Sequence, residues 1–113
     1  MPHCIFCDIV AKKIQAEIVH EDEHCVAFHD ANPQAPVHLL IIPRKHFSLL
    51  ADAGPEDEPV LGHLFRIARK LAEQFRISVG YRMVVNTGPG AGQTVFHFHM
   101  HLIGGRMFEW PPG

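Results

Sequence analysis

The stretch VFHFHMHLIGG, residues 95–105, alternates imidazole and apolar side chains before stopping at a glycine pair. Period two marks a β-strand, whose successive side chains leave opposite faces. Phe98, Met100 and Leu102 are expected in the core, so that His97, His99 and His101 share the other face about 7 Å apart in succession. A solvated antiparallel sheet face ordinarily mixes polar residue types, and this one is purely imidazole. The pattern points to chemistry: three rings can hold one catalytic metal ion, or one ring can attack while its neighbours tune it. A neutral imidazole is a good nucleophile toward phosphorus, and its reference pKa of about 6.5 leaves it largely neutral at pH 7. It needs a fixed tautomer, a donor for the phosphoryl oxygens and a proton for the leaving group, all of which neighbouring histidines can supply.

Upstream, NTGPGAGQT (86–94) is a glycine-rich connection that lacks the lysine of a P-loop. It reads equally as backbone amides that cradle phosphate or as a bare hairpin loop. Before it, YRMVVN (81–86) is a strand, and Pro59 to Phe75 carries Leu61, Leu64, Phe65, Ala68, Leu71, Ala72 and Phe75 at amphipathic-helix spacing. Cys25 to His29 and Val37 to Ile42 read as strands around the NPQAP turn, EIVHED (17–22) as a partner strand and CDIVAKK (7–13) as a short helix. Several antiparallel strands with one long helix between them predict a single α+β domain over 1–113, with the helices on one sheet face. His38 opens an apolar strand and can be a core residue or part of the histidine cluster. Asp30 can form the turn or accept hydrogen bonds from sugar hydroxyls.

Ten histidines equal the whole Lys plus Arg count, and the formal net charge of −2 argues against nucleic acid as the partner. No window reaches the ~20 apolar residues of a membrane span, and a cytoplasmic location is expected. CIFC (4–7) has Cys-x-x-Cys spacing, which suits zinc or a thioredoxin-like redox pair. No strand is expected before Cys4 to support a redox motif, and Cys25 stands alone. Zinc would therefore need histidines to complete its ligand set.

Together HFHMHL with Ile103, APVHLLIIPRKH (35–46), FHD (28–30) and the closing GGRMFEWPPG (104–113) resemble the histidine-triad (HIT) superfamily, and in particular its Hint branch of nucleotide-binding proteins. The resemblance covers essentially the whole chain. It implies a five-stranded antiparallel sheet with one long and one short helix, and a homodimer with a continuous ten-stranded sheet. It also implies hydrolysis of purine nucleoside 5′-phosphoramidates at the α-phosphorus through a nucleotidyl-histidine intermediate, with no cofactor needed for catalysis. His99 would be the nucleophile, with His101, His38 and Thr94 as the other catalytic residues. Phe6, Ile9 and Phe28 would enclose the purine, Asp30 would hold the ribose, and Asn86, Gln93, Thr94 and His101 would line the phosphate end. Trp110 would lie near the other subunit's site. Some bacterial relatives with an amino-terminal Cys-x-x-Cys imply a structural zinc, one per chain, on Cys4, Cys7, His46 and His97. Thr94 stands where serine is frequent, and Ala31 where a larger aliphatic residue often flanks the base. Two rivals make different predictions: a zinc hydrolase built on the three histidines would be chelator-sensitive, and a non-catalytic nucleotide-binding module would bind AMP without turnover.

Overall fold

The computed structural model describes residues 4–113. Its elements are α1 (Ile5–Val10), β1 (Ile18–Glu21), β2 (Cys25–His29), β3 (Val37–Pro43), α2 (Glu58–Gln74), β4 (Tyr81–Val84) and β5 (Met100–Gly104), with short 3₁₀ turns between β3 and α2 and between β4 and β5. The strands form one five-stranded sheet in the order β1-β2-β3-β5-β4, and every neighbouring pair is antiparallel. This is the expected α+β architecture.

The helices do not share a sheet face. Cys25 and Ala27 of β2, Leu39 and Ile41 of β3, and Phe98, Met100 and Leu102 pack with Leu64, Ile67, Ala68, Leu71 and Ala72 of α2. Val26, Phe28, Leu40 and Ile42 point the opposite way and pack with Phe6 and Ile9 of α1. The reason lies in the strands themselves. CVAFH and VHLLIIP are apolar at nearly every position, so each face needs its own cover. Within α2 the buried stripe takes in Ile67, whereas Phe65 is 54% exposed and lies outside the core.

The triad strand is also shorter than its alternation predicts. Ladder pairing with β3 begins at Ile41 opposite Met100. Beyond it β3 ends at Pro43, which has no N–H to donate, and the following chain diverges. The segment 97–99 instead joins the loop after β3, where the Phe98 amide donates to the Phe47 carbonyl at 2.8 Å. In the same loop Lys45 binds the buried Asp57 at 2.7 Å. These ties bring His46 and His97 together.

Candidate active site and metal centre

On the α1 side of the sheet a cleft of about 740 Å³ is lined by Phe6 and Ile9 of α1, Phe28 and Asp30 at the end of β2, and Thr94, His99 and His101. That volume suits a nucleotide-sized ligand. Phe6 meets Phe28 edge-on at 5.5 Å and His99 at 5.2 Å between ring centroids, so one aromatic wall runs from the apolar end to the imidazoles. The sequence did not single out Leu40, Val95, Ile14 or Ala16, which also line the cleft. Leu40 was legible, since it shares a strand face with His38. Val95 falls on the histidine face of the alternating stretch, while Ile14 and Ala16 lie in irregular chain, where no periodicity marks them.

The hydrogen bonds assign each ring its tautomer. A carbonyl oxygen only accepts, so His99 Nδ1–H donates to the His97 carbonyl at 2.7 Å and leaves Nε2 with a free lone pair. His38 Nδ1 accepts the Gln34 amide at 3.0 Å, which places the proton of a neutral His38 on Nε2. That proton faces His101 Nδ1 at 2.9 Å, with Asp30 Oδ2 at 3.3 Å. His101 must then carry its own proton on Nε2. Two adjacent rings, 5.0 Å apart, thus present one bare nitrogen and one N–H. Asp30 serves as turn former and site residue together, because its Oδ1 accepts the Asn32 amide at 2.7 Å while Oδ2 faces His38.

Burial, reinforced by the neighbouring His99 and His38, pushes His101 down to about 4. Burial likewise lowers His38, against the pull of Asp30. Both rings are neutral at pH 7, as the tautomer chain requires. An unfolded histidine protonates near 6.5, so below that pH the unfolded chain binds protons that the folded chain refuses. The stability these rings contribute is present above about pH 6.5 and is lost in acid, for His101 as the pH falls toward 4. Melting temperatures measured from pH 7.5 to 4.5 are expected to fall with acid, and less steeply in His101→Gln; parallel slopes would remove this ring from the account.

At the expected phosphate end, Gln93 and Asn86 are not among the residues that line the cleft. The Gln93 side chain is buried and bound to backbone, accepting from the Gly88 amide at 2.8 Å and donating to the Ser48 and Val95 carbonyls at 2.8 and 3.1 Å. It shapes the loop and does not face the cleft. The glycine loop turns its amides inward as well: those of Ala91, Gly92 and Gln93 donate to carbonyls of Gly88 and Pro89. Gly88 and Gly92 are there because φ is +92° at both, where a side chain would be strained. The amides of Gly88, Ala91, Gly92 and Gln93 are thus engaged within the loop. Trp110 is 83% exposed and also stands outside this chain's own cleft.

Beside the cleft, Cys4, Cys7, His46 and His97 bring one ligand atom each into a single cluster. Cys4 Sγ lies 3.5 Å and Cys7 Sγ 3.6 Å from His97 Nδ1; Cys7 Sγ lies 3.3 Å from His46 Nδ1, and the two Nδ1 atoms are 3.2 Å apart. Zinc with bonds near 2.0 Å to nitrogen and 2.3 Å to sulfur sets tetrahedral ligand edges of about 3.3–3.5 Å for N–N and N–S pairs. His97 Nε2–H donates to the Pro43 carbonyl at 2.8 Å, which leaves Nδ1 bare and aimed at the cluster. Cys4 also caps α1, its sulfur accepting the Cys7 amide at 3.3 Å. Burial and the adjacent Cys4 push the Cys7 thiol up to about 11, and a bound cation would favour its thiolate. The donor set fits zinc.

The HIT domain pattern matches residues 11–108. An uncharacterized HIT-like protein of Synechocystis is 51% identical over 109 residues, which is 96% of each chain. The crystal structure of a HIT family hydrolase from Legionella pneumophila superposes with a TM-score of 0.96 at 46% identity, covering 98% of this chain and 100% of that one. A Zn-bound histidine triad family protein from Mycobacterium smegmatis gives a TM-score of 0.79 at 35% identity, covering 91% and 75%. Among the described residues, no helix is long and apolar enough to cross a membrane.

Proposed function

The chain belongs to the HIT domain family, and on that footing we propose that it hydrolyses purine nucleoside 5′-phosphoramidates, of the AMP-amine type, through a covalent nucleotidyl-histidine. The observation that carries this reading is the pair of assigned tautomers, a bare Nε2 on His99 beside an N–H on His101. His99 Nε2 attacks the α-phosphorus; a bond to nitrogen forms and the bond to the amine breaks, the amine leaving neutral with a proton relayed from solvent through His101. Water then attacks the nucleotidyl-imidazole, passes its proton through His101 to solvent and releases the nucleoside monophosphate and neutral His99. Thr94 supplies a hydroxyl donor to the phosphoryl oxygens. The purine lies against Phe6, Ile9 and Phe28, and Asp30 takes the ribose hydroxyls. A fluorogenic adenosine phosphoramidate tests the reading directly: amine release with an acid-labile nucleotide on the protein supports it, and AMP binding without release refutes it.

The same reading places a structural zinc on Cys4, Cys7, His46 and His97, with no open position for substrate. When bound, zinc supplies a cross-link between α1, the loop after β3 and the triad segment. His97 is then a ligand and is not available as a third catalytic ring. This favours the nucleophile over a metal ion held by His97, His99 and His101, since His97 Nδ1 faces the sulfurs.

A homodimer completes the proposal. β4 ends the sheet, and Met83 and Val85 on and beside it are exposed, which leaves an edge able to continue into a second sheet. The segment after β5 is held by Arg82, which donates to the Glu109 carbonyl at 2.8 Å, and by Arg82 and Arg106 against the Phe108 ring. It presents Trp110 outward, as a side chain reaching a partner's cleft must be. Deleting residues 108–113 is expected to alter substrate selectivity or turnover; a truncated protein with unchanged kinetics would remove the tail from the site.

A further inference from the structure

On the α2 side of the sheet, away from the cleft, four other ligand-type side chains converge where β1 turns into β2. They are His20 of β1, Asp22 of the turn, Cys25 at the start of β2 and His63 of α2, and their ligand atoms all lie within 4.8 Å of one another. Asp22 Oδ1 accepts the backbone amides of His24 and Cys25 at 2.8 and 2.9 Å, which fixes the carboxylate and directs Oδ2 into the cluster. At that one oxygen His20 Nε2 and His63 Nε2 each stand 2.7 Å away, and Cys25 Sγ 3.6 Å. The His24 ring packs edge-on against His63 at 5.3 Å. Cys25 is fully buried, whereas the side chains of His20, Asp22 and His63 are 23–25% exposed, so an ion has a way in from solvent.

We propose that this corner is a second metal site, which takes a borderline divalent cation of the zinc class on His20, Asp22, Cys25 and His63. Two imidazoles, a carboxylate and a thiol are the donor types such ions prefer, and four protein ligands leave no position for substrate. The carboxylate held by two amides is the outer support that orients a metal ligand. The ion would tie the edge strand β1 to α2, whose His20 and His63 already meet at Asp22. The present Nε2–Oδ2 separations are hydrogen-bond lengths, and a tetrahedral ion holds nitrogen and oxygen ligands about 3.3 Å apart, so its entry widens the cluster by about half an ångström. Each histidine would free Nε2 of its proton to bind the ion and carry a proton on Nδ1. The Cys25 thiol gives its proton to water, and uptake therefore tightens as the pH rises. Burial and the Asp22 carboxylate push that thiol up to about 12, and a dication is what reverses the effect. Without the ion the same groups form a hydrogen-bonded staple, so single variants keep the fold.

Protein equilibrated with buffered zinc and then desalted is expected to hold two zinc ions per chain by elemental analysis. His63→Gln, which retains a donor for Asp22, should hold one, as should His20→Asn. Cys4→Ser should also hold one, lost from the other cluster. With cobalt in place of zinc, Cys4→Ser should show tetrahedral d–d bands and a thiolate charge-transfer band that disappears on Cys25→Ser. A single zinc retained by Cys4→Ser and lost from His63→Gln supports this site and removes the first one. The proposal is overturned by a wild-type protein whose whole zinc content survives in both His63→Gln and His20→Asn, or by one that holds no zinc.

Discussion

His99→Ala is expected to lower turnover of an adenosine phosphoramidate by several orders of magnitude while AMP binding stays within about tenfold. The substitution removes the only ring of the triad with a bare nitrogen on the cleft, but few of the contacts that hold the ground state. His101→Ala and Thr94→Ala should each cost roughly 10²-fold or less, as single donors to a developing charge. The ordering is informative. If His99 were instead a metal ligand, the wild type would lose activity to a chelator and no acid-labile nucleotidyl-protein would accumulate. Substantial activity in His99→Ala would end the covalent mechanism.

Cys4→Ser is expected to abolish zinc binding at the site proposed for the amino-terminal cluster and to lower the melting temperature by about 10 °C, on the order of 2–3 kcal/mol for a domain of this size. One sulfur there has two tasks, since it faces His97 and caps α1. A helix of six residues has little stability of its own, so loss of the anchor should loosen Phe6 and Ile9 and raise KM for the nucleotide more than it lowers kcat. Metal content, calorimetry and steady-state kinetics on the same preparation check the three effects. Unchanged melting and kinetics in a zinc-free variant would deny the cluster any structural role.

The parts of this architecture legible in the sequence were those with a period. The alternation from His97 to Leu102 separates core from site faces as the structure does, and the α2 stripe differs only in exchanging Phe65 for Ile67. Cys25–His29 and Val37–Pro43 stand where turn chemistry bounds them. The sidedness of the helices was misread, although both strands carry apolar residues on both faces; the six-residue α1 gave too little pattern to assign it a face. The loop 86–94 could not be settled from composition, because glycines that open their amides to phosphate and glycines that fold them inward look the same until φ and the Gln93 clamp are known. The Asp22 corner was invisible for another reason. Its four residues come from a strand, a turn, a second strand and a helix more than thirty positions away, and only the packing of α2 on the sheet makes them neighbours.

The two margins of the sheet are opposite in character. At β1, Glu21 is paired with Lys12 at 2.7 Å and Arg44 at 3.6 Å, and such charges make a strand edge a poor template for another chain. At β4 the margin carries Met83 and Val85 in the open. Colloidal behaviour should follow from that asymmetry. If the proposed homodimer forms through β4, dilution bares an edge on which another bare edge can grow, so Met83→Lys is expected to yield a smaller species that resists precipitation, and a lysine introduced on β1 to leave solubility as it was.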